Sequence, residues 1–329
     1  MQIIVTGGAG YIGSFMVKKL LDLDYSVVVI DSLERGHRNA LDKRAVFIEG
    51  DLRSKEFITD ILSKHRIDAV IHFAGYISMG ESMENPGIYF EDNSFATLNL
   101  LEAMVRQNVK HFIFSSTAGV YGNPHSVPID ESHMKVPTNP YGESKLMVEQ
   151  MLKWYQKIHG INFVALRYFN ACGAALDGSL GEAHDPETHI IPNAIIAGLQ
   201  NKEFFLFGQD YKTPDGTCIR DYIHVLDLVQ AHVLALNKIS GEQGGFFYNV
   251  GTGKGYSNKE VLDIIKEITK IDLRIVVKEK RPGDADQLIA DATRIRQDLG
   301  FDPEYSSLEM IVKTAWEWHK RAMKLHPSK

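Results

Sequence analysis

Short apolar runs alternate with amphipathic stretches through the first half of this 329-residue chain. Residues 3–5, 27–30, 45–48, 69–73, 111–114 and 163–166 are rich in Val, Ile and Phe. Runs this apolar predict parallel strands covered on both faces. Helical periodicity fills residues 12–23, 55–65, 97–107 and 141–159 between them. Strand–helix alternation of this kind predicts a doubly wound α/β sheet.

After Asn170 the regularity breaks. Residues 171–188 are rich in Gly, Asp and His and predict a long loop. A second loop is expected at 208–216, short strands around Ile223 and at 246–250, and helices at 257–269 and 308–323. We expect residues 1–170 and 171–329 to form two domains. The second is smaller and mixed α/β, with segments near 220–252 returning to the first. A crevice over the carboxyl ends of the sheet is where such folds bind ligands. No internal repeat or low-complexity segment is evident, and the polar tail 320–329 is expected to fray.

Composition excludes several classes. Lys and Arg number 36 against 42 Asp and Glu, a net charge of −6, which is a poor footprint for nucleic-acid binding. Two cysteines, Cys172 and Cys218, make no disulfide framework and are expected as small buried residues. No apolar run approaches the ~20 residues of a membrane helix. Met1-Gln2-Ile3-Ile4-Val5 lacks a basic segment followed by a long apolar stretch, so a cytoplasmic address is expected.

Between the first strand and first helix stands Thr6-Gly7-Gly8-Ala9-Gly10-Tyr11-Ile12-Gly13. Glycines at 7, 10 and 13 permit a tight turn and close approach of a pyrophosphate to a helix N-terminus. This is the signature of a Rossmann-type dinucleotide site, although such turns also end strands for steric reasons alone. Asp31 ends the second strand 18 positions after Gly13. Its carboxylate suits the ribose hydroxyls of NAD and repels the 2′-phosphate of NADP; it equally suits a cap on the next turn. Arg35 and Arg38 keep NADP open. Asp51, at the end of the third strand, is a candidate for the adenine edge or a turn former.

Asn139-Pro140-Tyr141-Gly142-Glu143-Ser144-Lys145 is the most informative segment. Pro140 suits the first helical position, which places Tyr141 and Lys145 at i and i+4 on one face. A phenol titrates near 10 and is a poor base at neutral pH. A neighbouring ammonium and an oxidised nicotinamide would both favour the phenolate, which could then take a hydroxyl proton. Alone, such a pair is a common surface coincidence. Here it follows a glycine turn, an acidic residue after the second strand, and Ser115-Ser116-Thr117.

With these pieces together the chain resembles the extended short-chain dehydrogenase/reductase superfamily and, within it, the enzymes that interconvert UDP-galactose and UDP-glucose. The likeness includes His72-Phe73-Ala74-Gly75, Arg167-Tyr168-Phe169-Asn170, residues 184–192, Thr213-Pro214-Asp215-Gly216-Thr217, Arg220-Asp221-Tyr222-Ile223-His224-Val225 and Arg281-Pro282-Gly283-Asp284. The resemblance implies an NAD-binding first domain and a UDP-sugar-binding second. Tyr141 would be the acid/base, tuned by Lys145, with Thr117 on the same sugar oxygen. Gly7, Gly10, Tyr11, Ile12, Gly13, Asp31, Ser32, Asp51, Leu52, Phe73, Ala74, Gly75, Asn93, Ser115, Tyr141, Lys145 and Tyr168 would contact NAD. Asn170, His189, Phe207, Arg220, Tyr222, Arg281 and Asp284, with Thr117 and Tyr141, would hold the nucleotide-sugar. The implied chemistry is oxidation and re-reduction at sugar C4 through a 4-keto sugar, NAD being retained. A homodimer built from the helices at 97–107 and 141–159 is also implied.

Arg220 and Arg281 make sense as diphosphate clamps, or as partners of Asp221 and Asp284 in salt bridges. Asn170 could pair with the ligand or cap a buried loop. Phe204-Phe205-Leu206-Phe207 reads as a strand packing into the core, with Phe207 in reach of uracil. Two departures from the family pattern stand out. Tyr76-Ile77 replaces a lysine that some members carry after the Phe-Ala-Gly turn, which would weaken NAD retention. Leu288 aligns with a tyrosine that narrows the sugar pocket in some members, so N-acetylated sugars would be admitted. Thr117-Ala118-Gly119 lacks the acid and base of the related 4,6-dehydratases. A nucleotide-sugar dehydrogenase is the enzyme alternative, and an NAD-sensing regulator the non-enzymatic one. His184, His189 and His224 match no common metal spacing, so no metal site is expected.

Overall fold

A computed structural model describes residues 1–281 and 284–325. Pro282 and Gly283 of the Arg281–Asp284 motif, and the last four residues of the tail, lie outside them. The helix Leu308–Leu325 runs further than the fraying tail expected from Lys320.

A seven-stranded sheet forms the centre. Its order is Gly245–Val250, Asn162–Tyr168, His111–Thr117, Ala69–His72, Gln2–Thr6, Ser26–Asp31, Val46–Glu49. Every pairing in it is parallel. Alternate side chains enter opposite cores. Ile3, Val5, Val27 and Val29 pack with the helices Tyr11–Asp22 and Val225–Gly241, while Ile4, Val28 and Ile30 pack on the other face. From Gln2–Thr6 the chain winds outward to Ser26–Asp31, then returns to Ala69–His72 on the other side. Strand order therefore reverses between Gln2–Thr6 and Ala69–His72, and their carboxyl ends open a crevice.

The second half builds a third core from the helices Ile190–Leu199, Asn258–Thr269 and Leu308–Leu325. Asn170–Cys172 is a strand, where a loop was expected, because it pairs with Ile219–His224. Glu203–Phe207 pairs with Arg274–Lys278. It buries Phe204 and Leu206 but leaves Phe205 exposed, so the aromatic run is half core and half surface. In the first half, the helix expected from 97 begins earlier. Pro86–Tyr89, the π-helical stretch Phe90–Phe95 and Ala96–Arg106 follow without a break. Cys172 and Cys218 are buried free thiols. No helix among the described residues is long and apolar enough to cross a membrane.

Candidate active site

A cavity of about 1250 Å³ occupies the crevice. The glycine turn forms one wall because nothing larger fits. A β-carbon on Gly13 would stand 2.1 Å from the Gly7 carbonyl oxygen. The helix Tyr11–Asp22 starts at Gly10 with no side-chain cap and no acidic residue in its first turn. Its free N–H groups and dipole thus remain available to an anion. Tyr11, Ile12, Ser32 and Leu52 line the same cavity. The Tyr11 hydroxyl is spent on the Gly173 carbonyl (2.6 Å). Asp31 lines the cavity and accepts from the Ala9 and Leu33 N–H groups (2.9 and 2.8 Å), so both readings of it describe one carboxylate. Asp51 is held by Arg53 (2.8 Å), whose hydrogen bond keeps its carboxyl below the ordinary range. Arg35 pairs with Glu81 (2.7 Å) and Arg38 with Glu49. Carboxylates therefore already occupy the two guanidiniums that kept a 2′-phosphate open.

The Tyr–Lys helix runs Pro140–His159 because Asn139 caps it, accepting from the Gly142 N–H (2.9 Å), with Pro140 at its first position. Tyr141 is 8% exposed and faces the cavity; Lys145, one turn on, is 3% exposed. Burial lowers the Lys145 ammonium to about 8. Burial also raises the Tyr141 phenol, while the Thr117 hydroxyl pulls the other way. This corrects the expected depressed phenol: within the protein alone, burial outweighs the Thr117 hydrogen bond, and Lys145 is not among the groups that shift it. A lowered pKa therefore requires the additional positive charge of an oxidised nicotinamide.

Thr117 ends the strand His111–Thr117 and accepts from the Gly119 N–H (3.0 Å). A buried network behind it sets its distance from the helix. Ser116 donates to Glu149 (2.7 Å), Arg167 grips Glu149 through two bonds (2.8 and 2.7 Å), and Arg167 donates to the Tyr121 hydroxyl (2.8 Å). Ser115 bonds the Tyr168 hydroxyl (2.5 Å), leaving Tyr168 on the cavity wall and Ser115 behind it. Phe73, Ala74 and Gly75 line the cavity, and Asn93 does not. The Asn93 amide binds Tyr76 N–H and carbonyl (2.8 and 3.0 Å) and Ser144 (3.0 Å), so its polar atoms clamp the Gly75-Tyr76 turn to the Tyr–Lys helix. Its expected place beside the cofactor is therefore one of support behind the cavity wall.

At the far end, Arg220 and Asn170 reach the cavity. Arg220 pairs with Asp284 (2.8 Å), which also accepts from the Tyr211 hydroxyl (2.9 Å). Asp221, the other expected partner, is engaged elsewhere, accepting from Thr252 and Gly253 N–H groups (both 2.9 Å). The Arg281 guanidinium lies 4.1 Å over the Phe207 ring. Phe207, Tyr222, Arg281 and Asp284 stand around Arg220 and outside the cavity wall itself. Asn170 donates to the Asp221 carbonyl (3.2 Å), capping the buried strand end as well as facing the cavity. His189 lines the cavity with its ring on Glu182.

Three features escaped the sequence reading. Glu182, fully folded under His184 and His189, was signalled by its place two residues before His184. Arg35 stacks over Tyr76 (5.2 Å), bringing a cation to the turn where the family lysine is missing; no local pattern announces that. Asp92, lining the cavity from the π-helical stretch, is pushed up to about 6 by burial, and such stretches recur at functional sites.

A parallel doubly wound sheet whose glycine turn, acidic residue after the second strand and Tyr141 share one cavity, with Lys145 buried one helical turn beyond Tyr141, defines a nicotinamide-dependent enzyme of the Rossmann class. The chain belongs to the NAD dependent epimerase/dehydratase family, whose model matches residues 3–251. It is 45% identical over 321 residues to UDP-glucose 4-epimerase of Lacticaseibacillus casei, covering 97% of each chain. It is similar to the crystal structure of UDP-glucose 4-epimerase from Brucella ovis in complex with NAD (TM-score 0.92, 43% identity, 96% and 97% of the two chains). It also matches the Bifidobacterium longum UDP-glucose 4-epimerase in complex with NAD+ and UDP (TM-score 0.93, 36% identity, 98% of each).

Proposed function

We propose that this chain interconverts UDP-galactose and UDP-glucose, using NAD held on residues 1–170 and the UDP-sugar held by residues 171–329. The observation that carries this reading is that Tyr141 and Thr117 face the same cavity as Arg220 and His189. An acid/base pair and an anion clamp thus share one space.

The residues fit a dinucleotide: the glycine turn leaves room only for backbone, the helix N-terminus is uncapped, and Asp31 faces the cavity. When bound, NAD supplies a reversible hydride acceptor for sugar C4. Tyr141 takes the proton of the sugar 4-hydroxyl and later returns it. Thr117 binds that oxygen and relays the proton. Lys145 would hold the nicotinamide ribose and add its positive charge to that of the oxidised nicotinamide near the phenolate. Arg220 holds the diphosphate after exchanging Asp284 for phosphate oxygens. The sugar can then turn over while its nucleotide end stays fixed, so binding energy is spent on the anchor and not on the hexose. Leu288 lines the cavity, and we propose that N-acetylated UDP-hexoses enter as well.

A homodimer is also proposed. Met147, Trp154 and Ile158 share one face of the Tyr–Lys helix and are exposed, Trp154 by 60% and Ile158 by 65%, with Phe95 exposed on the adjoining helix. An apolar stripe of this kind suits a second copy of the same helices. Free buried thiols agree with a cytoplasmic address. The test of the activity is direct. Purified protein given UDP-galactose and no added cofactor is expected to form UDP-glucose. Stoichiometric reduction of added NAD with no UDP-glucose would instead mark a dehydrogenase.

A further inference from the structure

Where the loop after Asn170 meets the helix Ile190–Leu199, two histidines and two glutamates converge. One ligand atom from each of Glu182, His184, Glu187 and His189 lies within 4.8 Å of all the others. The geometry points to a binding site for a divalent transition-metal ion of the zinc type, held by these four side chains.

His189 Nδ1 is paired directly with Glu182 Oε1 and would have to draw back from it to share an ion, but the other three separations bracket the spacing of shared ligands. His184 Nδ1 is 3.0 Å from Glu182 Oε1 and 3.7 Å from Glu187 Oε1, and His189 Nδ1 is also 3.7 Å from Glu187 Oε1. Ligands 2.0–2.1 Å from a tetrahedral ion stand about 3.4 Å apart. Despite its 3.0 Å approach, His184 Nδ1 makes no aligned hydrogen bond with any described residue. Two atoms that both point at a third position behave in this way. Glu187 adds a second, independent sign. Its side chain is 8% exposed and its Oε2 is buried with no partner among the described residues. A carboxylate oxygen left so is costly unless a cation or donor meets it.

The surroundings hold the ligands in place. Glu187 Oε1 accepts from the Thr188 and His189 N–H groups (2.7 and 2.9 Å), Asn193 donates to the Glu187 carbonyl (3.1 Å), and the Trp318 indole donates to the Glu182 carbonyl (2.8 Å). Outer contacts of this sort orient metal ligands. Imidazole with carboxylate selects zinc-type ions over magnesium or calcium. Four protein ligands make a closed, structural site. Its effect is to pin the loop that walls the cavity, since His184 and His189 both line it. His184 and His189 alone offer no recognised spacing; Glu182 and Glu187 complete the set.

The experiment uses the full chain, stripped with a chelator and dialysed. Zn²⁺ alone is titrated calorimetrically, and Co²⁺ alone is followed by its visible absorption. One ion per chain is expected, with a cobalt band of tetrahedral intensity and a raised Tm on Zn²⁺ addition. His184→Ala is expected to weaken binding by at least about 100-fold, the upper end of what loss of an outer-shell contact costs. Glu187→Gln, which keeps the side chain's shape, is expected to weaken it as well and guards against a folding failure in the first variant. Absence of binding, or equal binding by the wild type and both variants, would overturn the proposal. None of these three readouts uses turnover, so the outcome is separate from that of the proposed activity.

Discussion

The Lys145 ammonium stands 3.5 Å from the place a β-carbon on Gly75 would occupy. That β-carbon would also lie 2.5 Å from Asn93 Oδ1, and Gly75 has φ of +145°. The turn, the asparagine clamp and the lysine are thus packed as one unit. Gly75→Ala is expected to cost about 1–3 kcal/mol in urea unfolding through backbone strain alone and to depress activity strongly. Gly87→Ala, with open space around its β-carbon and away from the cavity wall, is the control and should change neither by much.

Lys145 is a buried cation over the Phe114 ring (5.1 Å), with the ligand as its proposed partner. In the cofactor-free protein, Lys145→Met is expected to raise Tm while abolishing turnover, because an uncompensated buried charge is removed. The sign with pH follows from its lowering from 10.5 to about 8. The unfolded chain binds more protons between those values, so stability rises with pH across that window in the wild type. The variant should lose that rise. Unfolding midpoints measured from pH 7.5 to 10.5 would check it, and a variant less stable than wild type would contradict it.

Four buried histidines, His72, His224, His232 and His319, contribute to the acid limb, His319 also being lowered by burial. Burial lowers His72 to about 3, and His224 and His232 to about 4, from 6.5. Their folded pKa values are depressed, so protons bind the unfolded chain preferentially below 6.5. Stability is expected to fall as pH drops from 6.5 towards 4. His224→Gln should shallow that slope in denaturant titrations at several pH values. An unchanged slope would mean that other groups carry it.

The exposed stripe on the Tyr–Lys helix yields a test of assembly. Trp154→Glu with Ile158→Glu is expected to convert a dimer to monomer in sedimentation velocity, with retained helical circular dichroism. A wild-type protein that is monomeric at micromolar concentration would remove the dimer.

Local features were legible in the sequence, and those made by distant partners were not. The glycine turn, the Asn139–Pro140 helix start and the i, i+4 spacing of Tyr141 and Lys145 each depend on neighbours in the chain. The strand Arg274–Lys278 depends on Glu203–Phe207, far away in sequence, and its own residues are half exposed. The π-helical stretch shifts Asn93 towards Tyr76 and Ser144, contacts that no periodicity encodes. The raised Tyr141 phenol is likewise a property of burial, which a spacing argument on Lys145 leaves out.

The most direct measurement follows the hydrogen on sugar C4. UDP-galactose carrying deuterium at C4 is incubated with the enzyme in ordinary water, with no added NAD. The UDP-glucose formed is expected to keep its C4 deuterium, and Tyr141→Phe to be slower by about 10²–10⁴-fold. Deuterium washed out to solvent, or a Tyr141→Phe variant as fast as wild type, would contradict this chemistry.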